Sequence, residues 1–269
     1  MRPLGLHQMN ALEVPATELV SMAHEVGCQF VCVFVNVPLP DLPFGPVAHE
    51  MAPELLTRLD ATGVTVSNVE FFPLTEDVDV DSWRPAVELG AQVGGQRLVT
   101  IVEDTVESRA VENLARLADL AAEYEMKVGL EFMPVTPGCT SIHAAARLIR
   151  LAGKPNAGFA VDCLHLVRSG GSAEDVAAIP EELFGYAQIS DGLDLAVRSD
   201  YMAEVFERTV PGEGVFPILD ILDALPAAVP VDVEVPSTIQ AGQGVPALER
   251  ARRAANAARE LLDRAQPTR

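Results

Sequence analysis

The sequence is short of lysine, of paired cysteine and of long apolar runs, and each shortage removes a class of chemistry. Two lysines occur, Lys127 and Lys154. Both stand before or at the start of strand-like runs, not at their ends, which argues against Schiff-base chemistry on lysine. The four cysteines, Cys28, Cys32, Cys139 and Cys163, form no C-x-x-C pair. Three lie in or beside apolar runs, so they read as reduced core thiols of a cytoplasmic protein, and a zinc–thiolate site finds no support. No apolar run reaches the ~20 residues that a bilayer crossing takes. The opening Met-Arg-Pro-Leu-Gly-Leu-His-Gln lacks a signal-peptide core. No G-x-S-x-G or P-loop is present. Basic residues are outnumbered: 19 Lys and Arg against 39 Asp and Glu give a net charge of −20. A field of that sign repels phosphate backbones and argues against a nucleic-acid partner.

What is present is a large apolar fraction in a regular order. Hydrophobic residues make up 49% and charged residues 22% of the chain, enough for a sizeable core. Short apolar runs at 4–8, 30–35, 64–72, 98–102, 128–134, 158–164, 186–190 and 231–235 predict strands. Between and after them, amphipathic segments at 15–26, 47–62, 82–93, 108–126, 141–152, 172–183, 218–225 and 247–265 predict helices. Residues 36–46, with four prolines, predict a long loop, and 193–217 a second excursion. Eight strand–helix units without a linker predict a parallel sheet. Eight such units in 269 residues predict closure into one (β/α)8 barrel over residues 1–269. The alternative is an open doubly wound sheet. The first turn, Gln8-Met-Asn-Ala-Leu-Glu13, lacks the Gly-rich phosphate signature of that fold.

Four of the runs end on an oxygen donor. Glu131 follows Val128-Gly-Leu, Asp162 follows Ala160-Val, Gln188 follows Tyr186-Ala, and Glu234 follows Val231-Asp-Val. A lone carboxylate in a buried strand is costly unless it is paired or bound to a metal. In a barrel of this type the chemistry sits at the C-terminal strand ends. Alternation turns Asp232 and Glu234 into the barrel and Val231, Val233 and Val235 toward the helices. Three carboxylates converging in one cavity would not all ionise without a cation. The all-oxygen set predicts one divalent metal ion, Mn2+ or Mg2+ ahead of Co2+ or Zn2+.

His165, three residues beyond Asp162, is a candidate for substrate contact or acid–base work. The bland alternative is a satisfied core histidine. Arg208 precedes Pro211-Gly-Glu-Gly214 and is a candidate clamp for a substrate oxyanion or hydroxyl, unless it is a surface arginine. Arg168, His7 and Glu70 are further candidates for the substrate lining, whereas Asp104 and Asp191 read as loop contacts or helix caps.

At Leu130-Glu131, Val161-Asp162-Cys-Leu-His165, Gln188-Ile-Ser-Asp191, Arg208 with Pro211-Gly-Glu-Gly214, and Glu234, the sequence resembles the xylose isomerase-like barrel superfamily of sugar isomerases and epimerases. The resemblance spans most of the C-terminal half; the N-terminal half matches in rhythm alone. It implies a metal held by Glu131, Asp162, Gln188 and Glu234, with substrate contacts from His165 and Arg208. One departure stands out. The tagatose-epimerase-like branch usually has histidine where Gln188 stands, and glutamine there is more similar to the 3-dehydroshikimate dehydratase branch. An endonuclease branch that needs several zinc ions and many histidines is a poor match to five histidines and a net charge of −20.

The expectation is a metal-dependent isomerase or epimerase of a small polyhydroxy carbonyl substrate, a sugar or sugar phosphate. One of Glu131 and Glu234 would remove the proton next to the carbonyl and the other return one, the metal stabilising the enediolate. A lyase of the 3-dehydroshikimate dehydratase type is the alternative; it needs Arg208 or Arg168 for a substrate carboxylate. A sugar-binding barrel without activity is the third reading. A homo-oligomer is compatible with all three.

Overall fold

The computed structural model describes residues 2–36, 46–196 and 201–267. Eight parallel strands close on themselves in sequence order: β1 (Leu4–His7), β2 (Phe30–Phe34), β3 (Thr65–Glu70), β4 (Arg97–Thr100), β5 (Lys127–Glu131), β6 (Ala157–Asp162), β7 (Phe184–Ile189) and β8 (Val231–Val233). A helical segment follows each strand, so the fold is the expected (β/α)8 barrel.

The strands are short runs rich in β-branched and aromatic residues, which fit a pleated surface buried on both faces. The helices are amphipathic and lay one stripe on the sheet. Glu107–Ala122 buries Ala110, Leu114, Leu117, Ala118 and Ala121, and the closing helix Ala247–Arg264 buries Ala251, Ala255, Ala258 and Leu261. Truncating Leu114 or Leu117 to alanine would cost roughly 2–5 kcal/mol. Local signals set the helix ends. The Ser141 hydroxyl accepts from the Ala144 amide to start Ile142–Ala152, and Gly153 stops it with a left-handed φ of 62°. Inside the barrel, Val99, Ala160 and Tyr186 form an apolar plug with Phe71 packed against it. A side chain at Gly129 would stand 3.2 Å from the Tyr186 ring, so glycine makes room for that plug.

The structure shifts several expected boundaries. The sixth strand stops at Asp162, and Cys163–Arg168 is helical, where the sequence predicts strand to 164. The cause is a cap: Asp162 Oδ1 accepts from the amides of Leu164 (2.6 Å) and His165 (3.1 Å). The eighth strand ends at Val233, so Glu234 stands just beyond it. Residues 172–183 are helical only over Ala173–Ala177 and Glu181–Leu183, the shortening that Pro180 predicts. The excursion 193–217 holds a short helix, Tyr201–Val205, that carries no sequence signal. Most of the proline-rich loop expected at 36–46 lies outside the described residues.

Candidate functional site

Parallel register brings the four oxygen donors to one end of the barrel. Glu131 pairs with Ala160, Asp162 with Gln188, and Gln188 with Asp232. Glu131 and Glu234 are each 5% exposed, Gln188 1% and Asp162 0%. Glu131, Gln188 and Glu234, together with Glu70, His165 and Arg208, face a cavity of about 450 Å3 at the C-terminal strand ends. Asp162 lies behind that wall.

Arg208 sits inside the carboxylate cluster. Its guanidinium donates to Asp162 Oδ2 at 2.6 Å and to Glu234 Oε1 at 3.2 Å, and its Nε donates to the Val205 carbonyl at 3.3 Å. Asp162 and then Glu234 hold its proton affinity above the ordinary range despite burial. Its donors therefore meet protein carboxylates, where the sequence suggested a clamp on substrate. Gln188 donates its amide N–H to Glu234 Oε2. That choice leaves Gln188 Oε1 buried with no protein partner. His165 Nδ1 meets the Tyr201 hydroxyl, and its Nε2 stands 3.8 Å from Glu131 Oε1.

Burial and crowding then set the charges. Burial, with Glu234, Asp162 and Glu70 close by, pushes the Glu131 carboxyl well above the usual carboxylate range. Burial raises Glu234 to about 7, with Arg208 and His7 partly offsetting it. Burial also opposes ionisation of Asp162, but the Arg208 guanidinium and the capping amides hold that carboxyl below its ordinary range. Burial lowers His165 to about 4, so its imidazole is neutral at neutral pH.

A second buried cluster occupies β1–β3. Glu70 Oε1 lies 3.1 Å from His7 Nε2 and accepts from Cys32 Sγ at 3.2 Å. His7 Nδ1 accepts the Met9 amide at 3.1 Å and stands 3.9 Å from Glu234 Oε1. Burial lowers the proton affinity of His7, but Glu70 and Glu234 more than reverse this and raise it to about 10. The Met9 N–H aimed at Nδ1 works against that second proton. Glu70 reaches the cavity wall; His7 stays behind it.

Arg168, like His7, is a lining candidate that the structure keeps off the cavity wall. Its Nε donates to Glu204 at 2.7 Å, its Nη1 to the Asp194 carbonyl at 2.8 Å, and its plane lies over Phe216. It braces the loop after β7 and is not on the cavity wall, because two protein acceptors already satisfy it. Asp191 has a similar bracing role: it accepts from the amides of Gly192, Gly212, Gly214 and Phe216. Asp104 pairs with Arg109 and caps Val106. Tyr201 is the residue that sequence reasoning missed. It stands in an irregular excursion without periodicity, so its pairing with His165 was not foreseeable.

The residues fit a divalent cation on two observations. Donor atoms of Glu131, Asp162 and His165 all lie within 4.8 Å of one another. The orphaned Gln188 Oε1 is a neutral donor in want of a partner. Donor atoms of His7, Cys32 and Glu70 are equally close, and His7 Nε2 there also lacks a hydrogen-bond partner, but of that trio Glu70 alone lines the cavity. The presence of His165 among the close donors adds a nitrogen to the all-oxygen set expected from sequence. A mixed N/O set accepts zinc as readily as a harder ion.

Comparison with known proteins agrees with this architecture. The sequence model of the xylose isomerase-like TIM barrel family matches residues 20–264. No curated protein is significantly similar in sequence. Among solved structures, the IolI protein with a bound zinc atom superposes with a TM-score of 0.83 at 16% identity, over 99% of each chain. A xylose isomerase domain protein from Alicyclobacillus acidocaldarius subsp. acidocaldarius gives 0.76 at 20% identity, over 98% of each chain. D-allulose 3-epimerase from Methylomonas sp., in complex with D-allulose, gives 0.72 at 16% identity, over 96% of this chain and 97% of that one. At these identities the likeness to solved structures is one of fold. The match of the family model over most of its length shows that the chain belongs to the xylose isomerase-like TIM barrel family.

Proposed function

We propose that this protein is an isomerase or epimerase that moves a proton on the carbon beside a carbonyl, with Glu131 and Glu234 as the transferring pair. One observation carries the reading. Two glutamates, each 5% exposed, share one cavity wall, and both have raised proton affinity, Glu234 to about 7. A carboxyl tuned near neutrality serves as base in one step and acid in the next. The fold neighbours that are named as L-ribulose 3-epimerase and D-allulose 3-epimerase support the class.

In this reading one glutamate, ionised, takes the proton, and the other, protonated, returns one to the opposite face or the neighbouring carbon. His165 Nε2 points toward Glu131 and orients a substrate oxygen, its ring fixed by Tyr201 at Nδ1. Arg208 keeps Asp162 ionised and restrains Glu234. Phe34, Phe71 and Phe206 line the same cavity and make its wall largely apolar. A divalent cation held by Glu131, Asp162, Gln188 and Glu234, with His165 in reach, would supply Lewis-acid stabilisation of charge developing on the carbonyl oxygen. The reading takes residues 1–269 as one barrel acting on a small carbonyl compound. It calls for no nucleic acid or bilayer, and among the described residues no helix is long and apolar enough to cross a membrane.

The dehydratase alternative asks for a free cation facing a substrate carboxylate. Arg208 and Arg168 are both engaged by protein carboxylates, so the isomerase reading has the better support. The test is solvent exchange: in D2O, the metal-loaded protein should replace the α-hydrogen of a ketose with deuterium, followed by proton NMR. A ketose that binds in the cavity and shows no exchange would sink the reading.

A further inference from the structure

The cavity carries the means to hold one polar end of a substrate and little to hold the rest. Glu131, Glu234, Gln188 and His165 cluster at one end. The rest of the described wall is mostly apolar, with Phe34, Phe71, Ile101, Met133 and Phe206 beside the carboxylates of Glu70 and Glu103. Thr136 carries the one hydroxyl on the described wall, and it donates to the carbonyls of Met133 (2.9 Å) and Cys139 (3.0 Å). Glu70 and Glu103 could each accept from a hydroxyl, but further sugar hydroxyls buried on the described wall would find no side-chain partner, and an unpaired buried hydroxyl is costly.

Charge excludes a second class. Arg208 is the only lysine or arginine on the described wall, and both its terminal nitrogens are taken by Asp162 and Glu234. Glu70 and Glu103 add negative charge to the same wall. A dication at the site would do no more than offset the charge left by three carboxylates and one guanidinium. Among the described residues, no surplus positive charge faces the mouth for a phosphate to meet.

The mouth itself continues the apolar surface outward. Val135 and Met202 line the cavity, yet they are 46% and 47% exposed. Apolar side chains that are both wall and rim form a path along which a greasy group can leave the cavity while staying in contact.

We infer that the substrate is an uncharged carbonyl compound with a neighbouring hydroxyl at one end and an alkyl or aryl group at the other, and is neither a phosphorylated nor a fully hydroxylated sugar. The polar end rests on the proton-transfer reading above; the apolar end rests on the wall alone. Three probes share one hydroxyketone head and differ in the tail: dihydroxyacetone, dihydroxyacetone phosphate and 1-hydroxy-4-phenylbutan-2-one. Calorimetric titration of the full chain, with and without Mn2+, reads their affinities. The phenyl compound is expected to bind at least about tenfold tighter than dihydroxyacetone, a difference of about 1.4 kcal/mol, and the phosphate more weakly than either. Met202→Glu and Val135→Ser, both on the exposed rim, should each shrink the phenyl preference. The proposal is overturned if the phosphate binds tightest, if the phenyl compound binds no better than dihydroxyacetone or not at all, or if neither rim variant changes the preference. Deuterium exchange on the bound phenyl compound separates the two ideas. Phenyl preference without exchange sinks the proton-transfer reading alone, and exchange with a phosphate preference sinks the substrate class alone.

Discussion

Two buried histidine clusters stand on different arcs of the barrel, and they differ in what surrounds the imidazole. On β1–β3, His7 meets Glu70 and Glu234 with no arginine beside it, and its proton affinity rises to about 10. On β5–β6, His165 shares its surroundings with Arg208, and burial takes it down to about 4. The residue types are nearly the same in both places. What separates them is the balance around the ring: at His7 the carboxylates of Glu70 and Glu234 outweigh burial, whereas at His165 burial outweighs Asp162 and Arg208 adds to it. The first cluster lies mostly behind the cavity wall: Glu70 accepts from Cys32 and stands 3.1 Å from His7 Nε2, and of the three Glu70 alone reaches the cavity. The second keeps an unanswered carbonyl at Gln188 and crowded carboxyls at Glu131 and Glu234, all on the cavity wall, the features a bound cation would answer.

The sharpest way to break that contrast is to neutralise one carboxyl on each side. Glu131→Gln should lower the rate of α-hydrogen exchange by about 10²–10⁴-fold, whereas Glu70→Gln should keep exchange within about an order of magnitude of the parent. Comparable losses in both, measured by NMR in D2O, would erase the distinction. Next comes metal. Stripped protein supplied with Mn2+ or Zn2+ at a hundredfold excess over Kd should gain about 2.7 kcal/mol of stability, seen as a rise in Tm. Glu131→Gln should remove most of that gain and Glu70→Gln little of it; the reverse pattern would move the ion to the first cluster.

The pH dependence of the stripped protein sharpens the same contrast. Below pH 6.5 the unfolded chain protonates His165 while the folded protein, with its value near 4, does not. Stability is therefore lost as pH falls from 6.5 toward 4, by on the order of 2 kcal/mol from this group. For His7 the sign is opposite: its contribution is complete below pH 6.5 and is lost as pH rises through about 10. Histidine NMR titrations that move in the same direction would contradict the comparison. The smallest expected effect is Tyr201→Phe, which removes one hydrogen bond to His165 and should cost about 1 kcal/mol in denaturant unfolding. A neutral result would mean that the ring is held without the hydroxyl.

The strand rhythm and the four strand-end donors were legible because each depends on a short stretch of chain. Val128-Gly-Leu-Glu131 shows its apolar run and its awkward charge together. Partner choice was not legible. Arg168 and Arg208 are both arginines in polar surroundings, and nothing local says that one finds Glu204 and the other Asp162. The helix start at Asp162 was within reach, since an aspartate before Cys-Leu-His165 is a capping pattern, but the apolar run beside it favoured strand. Gln188 could be named as a donor, yet only the fold reveals that its amide hydrogen is spent on Glu234 and its oxygen is spare.

Asp162 gives Oδ1 to the first turn of the following helix and Oδ2 to Arg208. An ion that takes Oδ2 takes it from a guanidinium, so loading is an exchange of one cation for another. The empty and loaded forms are then both electrically balanced at this carboxylate, and folding does not have to wait for metal. The displaced ion pair is subtracted from the affinity of whatever replaces it. A metal held in this way would be labile: a chelator should strip it from intact protein, and the ion taken up should reflect supply after folding.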